Sequence, residues 1–225
     1  MKIFTGALLL SLFAAATIAH AGVIVGGTRL IYDGSKKEAS LSVHNPDKAP
    51  YLIQSWVDNE TDSASKVPFM VTPPLFRLDG NQKNMLRIVL TGDSLAIDKE
   101  SLYWMNIKAI PAAEVAENQN TLQIAVKHRI KLIYRPAALK GTPEELTDHL
   151  RWQRRGDSVQ VMNPTPFYMN FMEISVGGKN LNNVTWVAPH STAIFSLPTN
   201  VNGSSVSWKI ISDYGAIGPE HKSSM

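Results

Sequence analysis

A strongly β-prone stretch in the middle of the chain, HRIKLIYRPAALK at residues 128–140, contains two cations among apolar residues. Lys131 stands between Ile130 and Leu132, and Arg135 ends the run before a proline. A charge inside an apolar strand is unfavourable unless a group of opposite charge or a set of hydrogen bonds accompanies it. We therefore expect both side chains to have partners, which the fold must bring to them.

The residue types that most often carry catalysis or hold metals form no recognisable group. Cysteine is absent, which excludes thiol nucleophiles and cysteine-type zinc sites. The histidines after residue 21 show no i, i+2 or i, i+4 pair on one element, and the chain has no G-x-S-x-G or H-E-x-x-H motif. We predict that the protein is not an enzyme and takes no cofactor or metal.

The first 21 residues have the parts of a secretory signal peptide. Lys2 gives a positive start, an apolar run follows at residues 8–16, and residues 19–21 form an A-x-A cleavage site. The apolar run is too short to span a bilayer, so we expect a cut after Ala21 rather than a retained membrane anchor. Removing this segment lowers the net charge from +3 to +2, which is too small to indicate a nucleic-acid partner.

Strand-like runs dominate the rest of the chain. Seven precede residue 136, separated by turn signals, at residues 23–32, 39–45, 51–59, 69–78, 85–90, 102–110 and 122–135. A helix start follows, because Thr142 can cap a helix with Pro143 at its first position and Glu145 three residues after the cap. Further runs lie at residues 150–153, 158–162, 168–176, 183–187, 193–197 and 206–211. About seven short strands per unit are typical of an immunoglobulin-like sandwich, so we predict an all-β protein with domains at residues 22–137 and 138–225.

Several segments resemble one protein family, in the family's order. They are TRLIYDG (28–34), PYLIQSW (50–56), TPPLFRL (72–78), DKESLYWMNI (98–107), IKLIYRP (130–136), NPTPFY (163–168) and DYG (213–215). With these motifs the chain resembles the periplasmic chaperones of the chaperone–usher pathway, which assemble pili in Gram-negative bacteria. The resemblance implies two immunoglobulin-like β-sandwich domains at a fixed angle, a boomerang shape with a cleft between them.

The resemblance also implies a mechanism, donor-strand complementation. The chaperone binds, folds and caps a pilus subunit by lending it a strand, and then delivers it to an outer-membrane usher. Leu122, Ile124 and Val126 share one face by the two-residue period of a strand and match the donor strand. The alternative is an ordinary strand that buries these side chains in the protein's own core.

The two cations then receive different expected roles. Arg29 and Lys131 match the family's pair of cleft cations, which hold the C-terminal carboxylate of the subunit. Arg135 matches an interdomain cation bridged to two carboxylates, here Glu100 and Asp213. Strict alternation places Lys131 on the opposite face from the donor residues, and a bulge or strong twist at residues 127–129 would reconcile the two roles.

A secreted two-domain β-sandwich binding module or adhesin is the alternative function. It predicts that Leu122, Ile124 and Val126 face an internal core and that Arg29 and Lys131 lie apart. The chaperone hypothesis predicts both cations at the base of a cleft. It also makes a self-capping homodimer of the free protein plausible, because an unfilled apolar strand is an association hazard.

Overall fold

The computed structural model describes residues 22–59, 66–92, 95–112 and 122–225, so the predicted signal peptide and its cleavage site lie outside the described residues. Within these ranges the chain forms seventeen strands and one short α-helix, and none of its helices has the length and apolar character needed to cross a membrane. The described chain contains two separate hydrophobic cores, one for each group of strands.

The first domain comprises strands β1 to β9. Their bounds are β1 Ile24–Val25, β2 Arg29–Asp33, β3 Glu38–His44, β4 Tyr51–Asp58, β5 Phe69–Thr72, β6 Leu75–Leu78, β7 Lys83–Leu90, β8 Ser101–Pro111 and β9 Val126–Arg135. One sheet has the order β1-β3-β7-β5, and the facing sheet has the order β2-β9-β8-β4-β6. Alternate residues such as Ile53, Ile88 and Ile107 are fully buried between the sheets, as the two-residue period requires.

The strands of the second domain are preceded by a short helix, α1, at Pro143–Leu146, and by a 3₁₀ turn at Thr147–His149. The Thr142 side chain and the Glu145 side chain form a reciprocal capping box, which confirms the predicted helix start. The strands are β10 Arg151–Arg155, β11 Ser158–Asn163, β12 Met169–Val176, β13 Lys179–Asn180, β14 Trp186–Val187, β15 Ser191–Ser196, β16 Ser205–Ile210 and β17 His221–Ser224. One sheet has the order β10-β11-β15, and the other has the order β13-β12-β16-β17 with β14 paired to β12.

In the second domain, the run predicted at 183–187 is a strand only at Trp186–Val187, and the sequence predicts neither β13 nor β17. In the first domain, three predicted strands differ from the observed ones. The run at 23–32 divides into β1 and β2 in opposite sheets, because the chain crosses at Gly26, where an added Cβ would lie only 2.0 Å from the Ser42 Oγ. The run at 69–78 divides into β5 and β6 at the cis peptide bond before Pro73. The run at 122–135 is a strand only from Val126, since its partner β8 ends at Pro111, which has no backbone N–H to extend the ladder.

Strand β9 has two different neighbours along its length. Strand β8 pairs antiparallel with it from Val126 to Tyr134, whereas β2 pairs parallel with the other edge only from Lys131 to Arg135. In the described part of the chain, no strand covers that second edge at residues 126–130. We call this segment the open edge of β9.

The side chains of β9 alternate between two environments. Ile130 and Leu132 pack in the first-domain core, whereas Lys131 and Arg135 reach groups of the second domain. The register with β8 is continuous through residues 127–129, so the bulge suggested there is wrong. Lys131 enters the space between the domains by ordinary alternation, because that face of β9 is turned toward the second domain.

Candidate functional site

Arg29 and Lys131 lie side by side at the interface between the domains. Arg29 is the first residue of β2, and its register partner on the parallel strand β9 is Lys131. Paired residues of neighbouring strands point to the same face, with their backbones about 4.8 Å apart. The alternative in which these two cations lie apart is therefore wrong.

Both cations contact the second domain. The Arg29 Nη1 donates a hydrogen bond of 3.1 Å to the carbonyl oxygen of Ile211. The Lys131 Nζ donates to the Oδ1 of the buried Asn170 and lies 4.0 Å from the centre of the Trp186 ring. The acceptors of these two hydrogen bonds are neutral groups, so the bonds themselves leave the charges of the two side chains in place.

The Arg29 guanidinium has capacity for a further acceptor. Its Nε is buried and has no hydrogen-bond partner among the described residues. Burial lowers the pKa of Arg29, although the charges of Asp213 and Glu144 oppose this shift. A desolvated guanidinium with an unused N–H is well suited to bind an added carboxylate, which would satisfy the donor and restore the lost solvation.

The three predicted donor residues extend outward beside the open edge. Leu122 is 87% exposed, Ile124 is 67% exposed and Val126 is 45% exposed. The alternative that they fill the protein's own core is therefore wrong. Apolar side chains next to an unpaired strand edge are an aggregation hazard unless another chain covers them. The open edge ends where Arg29 and Lys131 begin the pairing of β2 with β9.

A second charged group lies deeper between the domains. The Arg135 Nε donates to Glu100 at 2.7 Å, and its Nη1 and Nη2 donate to the two carboxylate oxygens of Asp213 at 2.7 and 2.9 Å. The other Glu100 oxygen accepts a 2.7 Å hydrogen bond from the backbone N–H of Tyr168. Glu100 and Arg135 belong to the first domain, and Asp213 and Tyr168 belong to the second, so the structure brings these predicted residues together across the interface.

The electrostatics of this group follow from its burial. Burial raises the pKa of Glu100 to about 7, although the charge of Arg135 and the Tyr168 N–H oppose the shift. Desolvation acts to lower the pKa of Arg135, but the hydrogen bonds that Arg135 donates to Asp213 and the charges of both carboxylates outweigh it and raise that pKa. Arg135 is therefore a permanent cation, while Glu100 can take up a proton near neutral pH.

The sequence did not predict the second-domain partners of Arg29 and Lys131. Asn170 and Trp186 are paired across β12 and β14, and the Trp186 ring lies 6.1 Å from the Trp104 ring of the first domain. Arg129 covers the Trp104 ring at 4.5 Å. No local pattern links these residues, because their contacts join distant segments, and the Ile211 acceptor is a backbone group. In the described ranges, no group of three or more His, Asp or Glu side chains could hold a metal ion.

Two sequence families match the chain, one in each half. The family described as "Pili and flagellar-assembly chaperone, PapD N-terminal domain" matches residues 22–140. The family described as "Pili assembly chaperone PapD, C-terminal domain" matches residues 145–222.

Individual proteins are similar over nearly the whole chain. The chain is 45% identical over 213 residues to the probable fimbrial chaperone LpfB of Escherichia coli O157:H7, covering 93% of this chain and 91% of the relative. It is 41% identical over 221 residues to the chaperone protein FimC of Escherichia coli K12, covering 97% of this chain and 90% of the relative.

Solved structures show the same likeness. A chain of the Salmonella enterica SafA pilin–SafB chaperone complex has a TM-score of 0.85 and 39% identity, covering 93% of this chain and 99% of that chain. The E. coli chaperone DraB has a TM-score of 0.81 and 40% identity, covering 90% of this chain and 96% of that chain. The predicted fold class, all-β with two immunoglobulin-like domains, is confirmed.

Proposed function

Because the chain belongs to the PapD family of pili-assembly chaperones, we propose that it binds, folds and caps pilus subunits by donor-strand complementation and delivers them to an outer-membrane usher. One observation carries the proposal for the binding mode. An unpaired strand edge, flanked by three exposed apolar side chains, ends at a pair of partly buried cations.

The open edge supplies the main-chain part of this binding. A strand of the subunit adds to β9 at residues 126–130 and lies end to end with β2, which occupies the same edge from Lys131 onward. Leu122, Ile124 and Val126 then fill the groove of the incomplete subunit. Their exposure in the free protein supports this role, because the fold does not use them for its own core.

The position of the cations determines the direction of the added strand. Arg29 and Lys131 lie at the C-terminal end of the open edge. A subunit whose C-terminal carboxylate binds there, and whose preceding residues run back along the open edge, must be parallel to β9. Arg29 offers a planar set of donors and Lys131 offers a compact charge, so together they bind both oxygens of one carboxylate.

The group formed by Glu100, Arg135 and Asp213 fixes the angle between the domains in this proposal. A buried ion pair adds little net stability, but it allows one geometry and penalises others. The bond distances of 2.7 to 2.9 Å across the interface support that role. The angle matters because both cleft cations depend on groups of the second domain.

Work in the periplasm requires export, and the A-x-A pattern supports cleavage after Ala21. The domains then comprise residues 22–137 and 138–225. In the absence of a subunit, two copies could cover each other's donor segments as a homodimer. Light scattering of the free mature protein over a range of concentrations tests this: a dimer at all concentrations that dissociates when subunit is added is expected, and a strict monomer contradicts it.

Co-purification tests the proposed function. The mature protein, tagged at its C-terminus, is co-expressed in the periplasm with a pilin subunit, and the subunit recovered with the tag is measured. Arg29→Ala and Lys131→Ala should each remove most of the recovered subunit, while thermal unfolding shows that the free protein still folds. Lys127→Ala is the matched control, because Lys127 is an exposed lysine on β9 whose side chain lies on the same face of the strand as that of Lys131. Normal recovery with either cleft variant contradicts the anchoring role.

A further inference from the structure

We propose that the second domain forms part of the carboxylate site, with Asn170 as the residue that positions both Lys131 and Arg29. This inference rests on the proposed function, since it concerns the same cation pair. It assigns a role to a buried amide that no motif of the sequence singled out.

A short chain of hydrogen bonds connects Asn170 to both cations. Its side-chain Oδ1 accepts from the Lys131 Nζ. Its backbone oxygen accepts a 2.7 Å bond from the N–H of Ile211, whose own carbonyl accepts the 3.1 Å bond from the Arg29 Nη1. Asn170 of β12 therefore accepts from Lys131 through its side chain and is connected to Arg29 through its backbone oxygen and one intervening residue, Ile211.

Trp186 also contacts the Lys131 side chain. It is the cross-strand partner of Asn170, and its ring lies 4.0 Å from the Lys131 Nζ. The ring is in turn packed edge-on against Trp104. A lysine side chain loses much rotamer freedom when it is fixed, so a site that fixes it in advance lowers the entropic cost of binding a carboxylate.

The chemical type of Asn170 fits this role. An amide oxygen orients an ammonium group while leaving its positive charge available to a guest. An aspartate of the same shape would orient Lys131 equally well, but it would neutralise the charge and repel an incoming carboxylate. The site therefore needs a neutral acceptor. The amide of Asn170 is neutral at any pH, and because the residue is almost fully buried, packing fixes its orientation.

The experiment compares two peptides that differ only at the C-terminus. Both carry the C-terminal strand of the co-expressed pilin subunit, one with a free carboxylate and one with an amide. Their dissociation constants for the full mature protein are measured by calorimetry. The ratio of the two constants is the carboxylate preference, and Arg29→Ala or Lys131→Ala should abolish it.

Asn170→Ala should lower the carboxylate preference roughly three- to tenfold, which corresponds to the net contribution of one ordinary hydrogen bond, while the amide peptide binds as before. Asn170→Asp should lower the preference further than Asn170→Ala, even though it keeps the shape and the acceptor. Trp186→Leu, which keeps an apolar contact but removes the aromatic face, should lower the preference by a smaller factor. It also provides a test if the Asn170 variants do not fold. Asn180→Ala, an exposed amide on the adjacent strand β13, is the control.

The outcomes separate this inference from the proposed function. If the variants weaken both peptides equally, or if Asn170→Asp retains the full preference, Asn170 has only a structural role and the inference is overturned. If the unmodified protein itself does not prefer the free carboxylate, the proposed anchoring function fails. A loss of preference in Arg29→Ala and Lys131→Ala but not in the Asn170 and Trp186 variants overturns the positioning role alone.

Discussion

Changing Leu122, Ile124 and Val126 together to serine should separate subunit capture from the stability of the free protein. Leu122 and Ile124 are mostly exposed and lie before the first residue of β9, and Val126 is about half exposed. The parts of the three side chains that the protein itself covers add up to about one full side chain, so the free energy of unfolding should fall by no more than about 1.5–3 kcal/mol.

The loss of binding free energy for the subunit should be larger than the loss of stability. Together the three side chains expose roughly two full side chains of apolar surface, which the subunit would cover. Burying a side chain of this size is worth about 1.5–3 kcal/mol, so the triple variant should lose roughly 3–6 kcal/mol of binding free energy. This corresponds to a fall in affinity of about two to four orders of magnitude.

The assay measures affinity and stability on the same samples. Binding to the purified subunit is followed by surface plasmon resonance, and unfolding of the free protein is followed in urea. Gln123→Ser with Ala125→Ser is the matched control, because these residues alternate with the donor residues and should affect capture little. Leu132→Ser is the opposite control: it lies in the core on the same strand and should unfold the protein.

Two results would refute the reasoning. If the triple serine variant unfolds in the absence of subunit, the three residues stabilise the protein's own core. If the variant is stable and binds the subunit with unchanged affinity, the exposed apolar face is not the donor surface.

Three further predictions concern the charged groups. Folding raises the pKa of Glu100 from 4.5 to about 7, so the folded state binds this proton more tightly and the free energy of unfolding should fall as the pH rises between these values. In urea titrations at a series of pH values, Glu100→Gln should remove roughly 3 kcal/mol of that fall. Parallel pH profiles of the two proteins would contradict this prediction. Arg135→Ala should destabilise the protein by about 2–3 kcal/mol, because it leaves the carboxylates of Glu100 and Asp213 in the interface without their cation. The control Arg77→Ala breaks an exposed ion pair and should cost under about 1 kcal/mol. Equal losses of stability in the two variants would argue against the interdomain role. Arg29→Lys keeps the charge but loses the planar donor set, and subunit affinity measured by plasmon resonance should fall by roughly tenfold; unchanged affinity would show that charge alone suffices.

Local patterns predicted most of the elements correctly. Alternating apolar residues identified most strands of both sandwiches but not the polar strands β13 and β17, and the capping residues identified the start of α1. The proposed donor role of the exposed residues Leu122, Ile124 and Val126 depends on the family motifs, because their alternation is equally typical of a core strand. Solvent exposure is a property of the packed molecule, not of the two-residue period.

The errors arose where distant contacts decide the structure. The run at 23–32 was predicted as one strand because nothing local shows that Gly26 must pass close to Ser42. The side-chain alternation of the first domain, taken without the second domain, suggests a bulge before Lys131. The strand is regular, and the second domain covers the face that carries Lys131.

In the proposed complex, a subunit strand adds to the open edge of β9 in parallel, with its C-terminal carboxylate at Arg29 and Lys131. Because the chain contains no cysteine, a single introduced cysteine gives a clean register measurement by disulfide formation. In the purified complex, His128→Cys on the chaperone is paired in turn with cysteines placed along the last residues of the subunit. The account predicts that cross-linking peaks a few residues before the subunit's C-terminus, and that Ala125→Cys moves the peak further from that terminus. A peak that moves toward the C-terminus would mean an antiparallel strand and would contradict the account.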